Sequence, residues 1–188
     1  TRVVVWGIDA RPAADAASAA LGVETRRDTQ VLRSWEPESP DSALSTARLK
    51  AKVGEVWYQV TGPDTITMHP TWTANNLTDG RVLMNPAIPV RARCQVQIVA
   101  DLQAALAEVA AAGLGGAIDI ANTNTYGGCF NPRYSRLGGF LSRHAYAVAI
   151  DMNTLSNCQG CVPQMDCRVV RIFRKHGFGW GGNYRRPD

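Results

Sequence analysis

The segment VQIVADLQAALAEVAAAGLGG, residues 96–116, has the clearest periodicity in this chain. Its apolar residues recur at the three- and four-residue spacing of one helix face: Val99, Leu102, Leu106 and Val109. The segments that follow have the patterns of a strand, a loop, a strand and a helix. Because strands and helices do not alternate as in a doubly wound parallel fold, we predict an α+β fold with a small antiparallel sheet flanked by helices.

Cap and turn residues divide the rest of the chain into shorter elements. The predicted elements are helices at 14–22, 39–54 and 165–177 and strands within 55–84, 116–123 and 139–153. Asp41 or Ser42 is the expected N-cap of the second helix. The stretch NPAIPV is a plausible boundary, so we divide the chain into residues 1–85, whose role the sequence does not reveal, and residues 86–188.

Composition limits the class of protein. With 45% hydrophobic and 19% charged residues, the chain is globular. No run of eighteen apolar residues is present, so we predict no membrane span. The net charge of +4 permits an anionic partner but does not require one. The opening TRVVVWGIDARP has neither an initiator Met nor the pattern of a signal peptide, and we interpret the chain as a mature or excised fragment.

The segment SRHAYAVAID, residues 142–151, combines His144 and Asp151 with small apolar residues between them. A separation of seven would place the two side chains on opposite faces of one continuous strand. If His144 precedes the strand and Asp151 ends it, both side chains can face one cation. Imidazole and carboxylate ligands suit zinc. The alternative is a hydrogen-bonded histidine and an aspartate that caps a turn.

This segment and the later VVRIFRKHGFGWGGNYRRPD together resemble the zinc-dependent D-Ala-D-Ala carboxypeptidase family of peptidoglycan peptidases. That family carries Ser-x-His-x-x-Gly-x-Ala-x-Asp, then a helix, a Gly-Trp-Gly-Gly turn and Asp/Glu-x-x-His. The matching positions are Ser142, His144, Ala149, Asp151 and residues 179–182. The resemblance extends from about Cys94 to Asp188. Ala147 departs from it, because the family usually has Gly there.

The resemblance implies a fold like that of the hedgehog and DD-carboxypeptidase proteins, with zinc as the cofactor. It makes His144 and Asp151 zinc ligands and Asp188 the catalytic carboxylate that accepts a proton from water. The last ligand of the family would lie three positions beyond Asp188, so we expect the chain to be truncated and to bind zinc weakly or not at all. His69 and His176 are poor substitutes, since His176 lies at a predicted helix C-terminus and His69 lies outside the resembling region.

The resemblance also implies residues that contact the substrate. Arg133 lies where the family places an arginine that holds the substrate carboxylate by two hydrogen bonds. Arg136 and Arg143 are less suitable replacements, and a surface arginine after a turn is the alternative for Arg133. Ser142 matches a position that contacts substrate, although a turn hydroxyl is the simpler role. Trp180 is expected either to line the cleft or to anchor the core.

The chain has five cysteines: Cys94, Cys129, Cys158, Cys161 and Cys167. Three of them lie within ten residues, which suits a zinc knuckle in a cytosolic protein and disulfides in an exported one. Since no second Cys-x-x-Cys is present, we predict disulfides. We expect one between Cys94 and Cys129 and another within the group of three. Reduced, buried thiols are the alternative.

The resulting functional prediction is an extracytoplasmic zinc peptidase, secreted or associated with the cell wall, with residues 86–188 as its catalytic domain. Its predicted substrate is a peptidoglycan stem peptide cut beside a D-amino acid, by carboxypeptidase or endopeptidase action. A non-catalytic module that binds the cell wall or a partner is the alternative. A zinc-knuckle nucleic-acid binder is a third reading. We predict no nucleic-acid partner, because the arginines of 165–177 fit a solvated helix face. The sequence does not specify an oligomeric state.

Overall fold

Four α-helices and two antiparallel strand pairs occur in the part of the chain that this computed structural model describes. The described residues are 45–63, 65–80, 84–120, 126–135, 139–184 and 186–187. They contain α1 (Thr46–Val53), β1 (Tyr58–Val60), β2 (Ile66–Met68), α2 (Pro70–Asn76), α3 (Val99–Ala111), β3 (Tyr126–Gly128), β4 (Asp151–Met152) and α4 (Cys167–Lys175). The strands form two antiparallel pairs, β1 with β2 and β3 with β4. The predicted α+β class is therefore confirmed.

The described residues fall into two compact units. Residues 45–155 belong to one unit, and residues 156–187 belong to the other. Within the first unit, the Thr78 N–H donates to the Cys94 carbonyl over 2.8 Å, so hydrogen bonds join residues on both sides of position 85. The division into residues 1–85 and 86–188 stays a prediction. In the described ranges, no helix is long and apolar enough to cross a membrane.

Helix α3 provides a buried apolar face in the 45–155 unit. Its fully buried side chains are Leu102, Ala105, Leu106 and Val109. Burial of one such leucine side chain contributes about 1.5–3 kcal/mol to the free energy of folding. A 3-10 turn at Val96–Ile98 leads directly into the helix, and Gly113 follows it with a φ of 70°. The predicted helix is confirmed. Its buried face holds α3 in the core, and Cys94 lies a few residues before the helix.

The strand predicted at 116–123 is wrong for the described residues of that range. Gly115–Ala117 form a 3-10 turn, and residues 118–120 are irregular. The side chain of Asn153 occupies the backbone groups that a neighbouring strand would use. Its amide Nδ2–H donates to the Ala117 carbonyl over 2.7 Å, and its Oδ1 accepts from the Asp119 N–H over 2.8 Å. The sequence pattern does not reveal this side-chain partner, and residues 121–123 lie outside the described part.

The β1–β2 pair connects through a single bridge to the segment around residue 133. Strands β1 and β2 pair in register from Tyr58 opposite Met68 to Val60 opposite Ile66. An antiparallel bridge joins Thr65 to Arg133, and another joins Tyr134 to Leu141. The chain that leads to residue 142 is therefore aligned against the 131–134 segment, which is itself attached to the β1–β2 hairpin.

Side-chain caps fix the starts of α1 and α4. Ser45 caps α1, because its hydroxyl accepts from the Arg48 N–H over 3.3 Å. The helix begins at Thr46, so its cap is not the predicted Asp41 or Ser42, which lie outside the described residues. The predicted cap of α4 is confirmed, because the Asp166 carboxylate accepts from the Arg168 N–H over 2.8 Å.

Two disulfides are present among the described residues. Cys94 and Cys129 are paired, with a Cα–Cα distance of 5.0 Å, and both residues are buried. Cys158 and Cys161 are paired with a Cα–Cα distance of 5.2 Å, and Cys167 belongs to neither bridge. Both distances lie in the usual range for disulfides. The predicted Cys94–Cys129 bridge is confirmed, and the second bridge lies within the predicted group of three.

Candidate metal centre

A short 3-10 turn presents His144. The turn covers Arg143–Ala145, and Ser142 is its N-cap, with a hydroxyl that accepts from the His144 N–H over 3.3 Å. The Ser142 N–H donates to the Arg133 carbonyl over 3.0 Å, and the Asn131 N–H donates to the His144 carbonyl over 3.1 Å. These contacts hold the histidine backbone against the 131–133 segment. Ser142 has the cap role of a turn hydroxyl, and its contact with substrate stays a prediction.

The imidazole of His144 has one nitrogen fixed by the backbone. Its Nδ1 lies 3.1 Å from the Cys129 carbonyl oxygen, and the residue is 7% exposed. A carbonyl oxygen can only accept a hydrogen bond, so Nδ1 carries the proton in this contact. In a neutral imidazole, Nε2 then presents a lone pair. This second-sphere contact is typical of histidines that bind metals.

Asp151 supplies the opposite donor from the start of β4. Its Oδ1 lies 3.2 Å from His144 Nε2, and its side chain is 43% exposed whereas that of His144 is 9% exposed. Strand β3 shifts register between Tyr126 and Gly128, which places Gly127 in an irregularity opposite the aspartate. A Cβ at Gly127 would lie 2.9 Å from the Asp151 Cβ and 3.0 Å from its Oδ2. The carboxylate therefore needs glycine at this position.

His144 Nε2 and Asp151 Oδ1 lie close enough together to share a proton or a metal ion. A neutral imidazole nitrogen and a carboxylate oxygen both present lone pairs, so their approach to 3.2 Å is favourable only with a proton or a cation between them. Two zinc ligands at about 2.0–2.1 Å in tetrahedral geometry are themselves about 3.4 Å apart. The nitrogen and oxygen donors, their spacing and the fixed Nδ1 proton therefore fit two positions of a zinc site. Among the described residues, no group of three His, Cys, Asp or Glu side chains surrounds a common point.

Ala147, which follows the 3-10 turn, has a backbone conformation that is unusual for a residue other than glycine. Ala147 follows the 3-10 turn with a φ of 56°, in the left-handed region that favours glycine, and it is fully buried. Its carbonyl accepts from the Gln95 N–H over 2.9 Å. This is the position at which the Ser-x-His-x-x-Gly-x-Ala-x-Asp motif has Gly.

Burial raises the pKa of the neighbouring Tyr146 phenol above 10.0, so this side chain stays neutral beside the site.

The remaining predicted residues are distributed over different parts of the chain. Arg133 is half-buried on the segment that hydrogen-bonds to Ser142. Trp180 belongs to the 156–187 unit, where a Cβ at Gly182 would overlap its indole ring. Asp188 and Arg136 lie outside the described residues. The roles predicted for these residues stay predictions.

Comparison with known families adds evidence that is independent of this geometry. Residues 135–188 match a D-alanyl-D-alanine carboxypeptidase family model. No match was found among curated proteins or among solved structures. The D-alanyl-D-alanine carboxypeptidase match includes His144, Asp151 and the 179–182 turn, so the resemblance of this segment is confirmed. It supports a peptidase of that family, and it begins 41 residues after Cys94, where the predicted resemblance started.

Two contributions to the site had not been predicted from the sequence. The first is the Cys129 carbonyl, since a backbone acceptor has no residue type by which to recognise it. The second is Gly127, for which the adjacent glycines in YGGC were the available signal. A glycine within a strand often marks a bulge or a close approach of another chain segment. Here that approaching group is the Asp151 side chain.

Proposed function

We propose that this protein is a zinc-dependent peptidase that hydrolyses peptide bonds next to D-amino acids in peptidoglycan stem peptides. The observation that carries the proposal is the 3.2 Å approach of His144 Nε2 to Asp151 Oδ1. Both residues lie in the segment that matches the D-alanyl-D-alanine carboxypeptidase family model. Because Nδ1 is engaged by a backbone carbonyl, Nε2 is the nitrogen available for a metal.

The proposed ligands within the sequence are His144 and Asp151. The family motif has its third ligand, a histidine, three positions after the carboxylate that Asp188 matches. Zinc, when bound, would act as a Lewis acid and make water a stronger acid and a better nucleophile. His144 is nearly buried while Asp151 is partly exposed, so the pair would meet substrate from the aspartate side. The partial exposure of Asp151 leaves room for a ligand to approach without opening the core.

Two further side chains complete the proposed reaction. Asp188 would accept a proton from the attacking water and return it to the leaving amine. Arg133 would hold the terminal carboxylate of a peptide that ends in D-Ala, because a guanidinium can make two parallel hydrogen bonds to a carboxylate. Its backbone is hydrogen bonded to Ser142, two residues before His144, which places the arginine on the segment next to the proposed ligand.

The proposed location is extracytoplasmic, which agrees with the proposed substrate. Two disulfides among the described residues support this location, because such bridges persist in oxidising compartments. The partner in this proposal is the stem peptide of the cell wall.

Zinc binding and hydrolysis can be tested in two forms of the chain. One is the chain that ends at Asp188, and the other carries an added Ala-Ala-His, which supplies the family's last ligand. We expect the extended form to bind zinc at least about tenfold more tightly, because a third ligand enters the site. With zinc and a pentapeptide stem, the extended form should release D-Ala or cut the peptide internally, as detected by mass spectrometry.

Matched variants separate the site from the rest of the molecule. His144→Ala should abolish zinc binding and hydrolysis. His69→Asn is the control, because asparagine can replace the imidazole that caps α2. A folded, zinc-loaded extended chain that cleaves no stem peptide would reject the enzyme. If that chain bound the stem peptide without cutting it, the non-catalytic wall-binding module would be the better description.

A further inference from the structure

The Cys94–Cys129 disulfide lies directly behind the proposed zinc ligand. Both half-cystines are buried, with exposures of 0% and 1%, so the bridge is part of the core of the 45–155 unit. Thirty-five positions separate the two cysteines along the chain. The bridge therefore fixes two distant backbone segments to each other, one before α3 and one after β3.

Both of these segments hydrogen-bond to the turn that carries His144. On one side, the Cys129 carbonyl accepts from His144 Nδ1 over 3.1 Å. On the other side, the N–H of Gln95, the residue after Cys94, donates to the Ala147 carbonyl over 2.9 Å. The turn is thus held at two points, three residues apart, by backbone atoms at or next to the two ends of one disulfide.

We propose that the Cys94–Cys129 disulfide is a positioning element for the metal ligand. It holds the Cys129 carbonyl at the distance that keeps the His144 proton on Nδ1 and directs Nε2 toward Asp151. This inference rests on the proposed zinc function for its consequence, which is metal affinity. The selection of the tautomer is a property of the metal-free chain and can be tested separately.

Three features of the site explain why the disulfide would affect the position and the tautomer of His144. The imidazole can rotate and exchange its proton between nitrogens unless one nitrogen is engaged. Asp151 Oδ1 competes with the carbonyl for that proton, because it lies 3.2 Å from Nε2. Ala147 has a φ of 56°, which an alanine adopts only when its surroundings hold it there. A turn released from its anchors would relax toward ordinary backbone angles and move His144.

The decisive variant is Cys94→Ala/Cys129→Ala, which removes the sulfur bridge but keeps the backbone carbonyl of residue 129. Its matched control is Cys158→Ala/Cys161→Ala, which removes the bridge of the 156–187 unit. Zinc affinity is measured by competition with a chromophoric chelator, using the chain extended by Ala-Ala-His. We expect the first variant to bind zinc about 10- to 100-fold more weakly than the parent. The control should keep the His144 tautomer of the parent, because its bridge lies outside the 45–155 unit that holds the turn.

The tautomer is read by nitrogen NMR of the histidine side chains, without metal. An Asp151→Ala background removes the competing carboxylate and leaves the Cys129 carbonyl as the described partner of the ring. At alkaline pH, the disulfide-bonded protein should show a protonated Nδ1 and an unprotonated Nε2 for His144. Without the bridge, the ring should show a mixture of the two tautomers. Loss of the His144 signal in a His144→Gln variant assigns it among the three histidines.

The outcomes distinguish this inference from the proposed function. A folded Cys94→Ala/Cys129→Ala protein with unchanged tautomer and zinc affinity within about threefold of the parent would overturn the positioning role. If the parent binds no zinc, the proposed function fails, but the tautomer comparison still decides the positioning role. If the double variant does not fold, the comparison is made in the Cys158→Ala/Cys161→Ala protein before and after reduction by a phosphine. That reaction consumes one water and yields two thiols and the phosphine oxide.

Discussion

Replacement of Ala147 by glycine tests the backbone strain beside the site. Ala147 has a φ of 56°, whereas Ala145, two residues earlier, lies in the 3-10 turn. Both alanines are 0% exposed, so each methyl group is equally buried. The pair therefore provides an internal comparison in which the left-handed conformation is the main difference.

The magnitudes follow from three contributions. Loss of a buried methyl group costs about 0.8 kcal/mol at either position. The greater freedom of glycine in the unfolded chain costs about 0.4–1 kcal/mol at either position. At Ala147 alone, glycine relieves the left-handed strain of about 1–2 kcal/mol. Ala145→Gly should therefore destabilise by about 1.5 kcal/mol, while Ala147→Gly should leave the free energy of unfolding near that of the parent.

Urea denaturation followed by circular dichroism measures this difference, provided that both variants keep the m-value of the parent. The quantity of interest is the difference between the two free energies of unfolding, since the shared contributions cancel in it. We expect Ala147→Gly to be more stable than Ala145→Gly by about 1–2 kcal/mol. Equal destabilisation of the two variants would show that the backbone at residue 147 is not strained and would refute the reasoning.

Three other changes have expected outcomes. Gly127→Ala places a Cβ 2.9 Å from that of Asp151, so it should displace the carboxylate and weaken zinc binding by about 10-fold or more in a chelator competition assay. Asp166→Ala removes the N-cap of α4 and should lower the free energy of unfolding by about 1 kcal/mol in urea denaturation. Tyr58→Phe should lower the pKa of Tyr134, measured by ultraviolet titration, because the hydrogen bond that the neutral Tyr134 phenol donates to Tyr58 raises that pKa above 10.0.

Matched controls accompany these changes. Gly116→Ala should leave zinc affinity unchanged, because a Cβ there meets no atom within 4 Å. Asp166→Asn should retain most of the cap, since asparagine also accepts from the backbone. The Tyr134 phenol has a higher pKa in the folded protein, so its stabilising contribution is complete below pH 10.0 and is lost as the pH rises through the folded-state pKa. A Tyr134 pKa that does not move in Tyr58→Phe would reject the assigned hydrogen bond.

The sequence predicted those features that depend on spacing and residue type. The apolar spacing of α3 identified a face that is fully buried in the structure. The sequence predicted correctly that His144 lies in a turn before the strand, but Asp151 begins β4 and does not end it as predicted. The Asp166 cap was predictable because a carboxylate before a helical pattern has few other local uses.

The features that were missed depend on partners distant in the sequence. The predicted strand at 116–123 was wrong for residues 116–120, because Asn153, more than thirty residues later, hydrogen-bonds to the backbone groups of Ala117 and Asp119. The early start predicted for α1 was wrong because several residues near Ser45 have cap-forming side chains, and local pattern does not rank them. The engagement of His144 by the Cys129 carbonyl could not be predicted, since a main-chain oxygen is present at every position.

The side-chain amide of Asn153, the residue after β4, makes this part of the chain sensitive to deamidation. Deamidation would turn Nδ2, which donates to the Ala117 carbonyl over 2.7 Å, into an oxygen facing an oxygen. The new charge would repel that carbonyl, although the contact with the Asp119 N–H would persist. Asn153 lies two residues after Asp151. In a stored preparation, the Asp151 carboxylate should therefore shift from its position before the helices unfold.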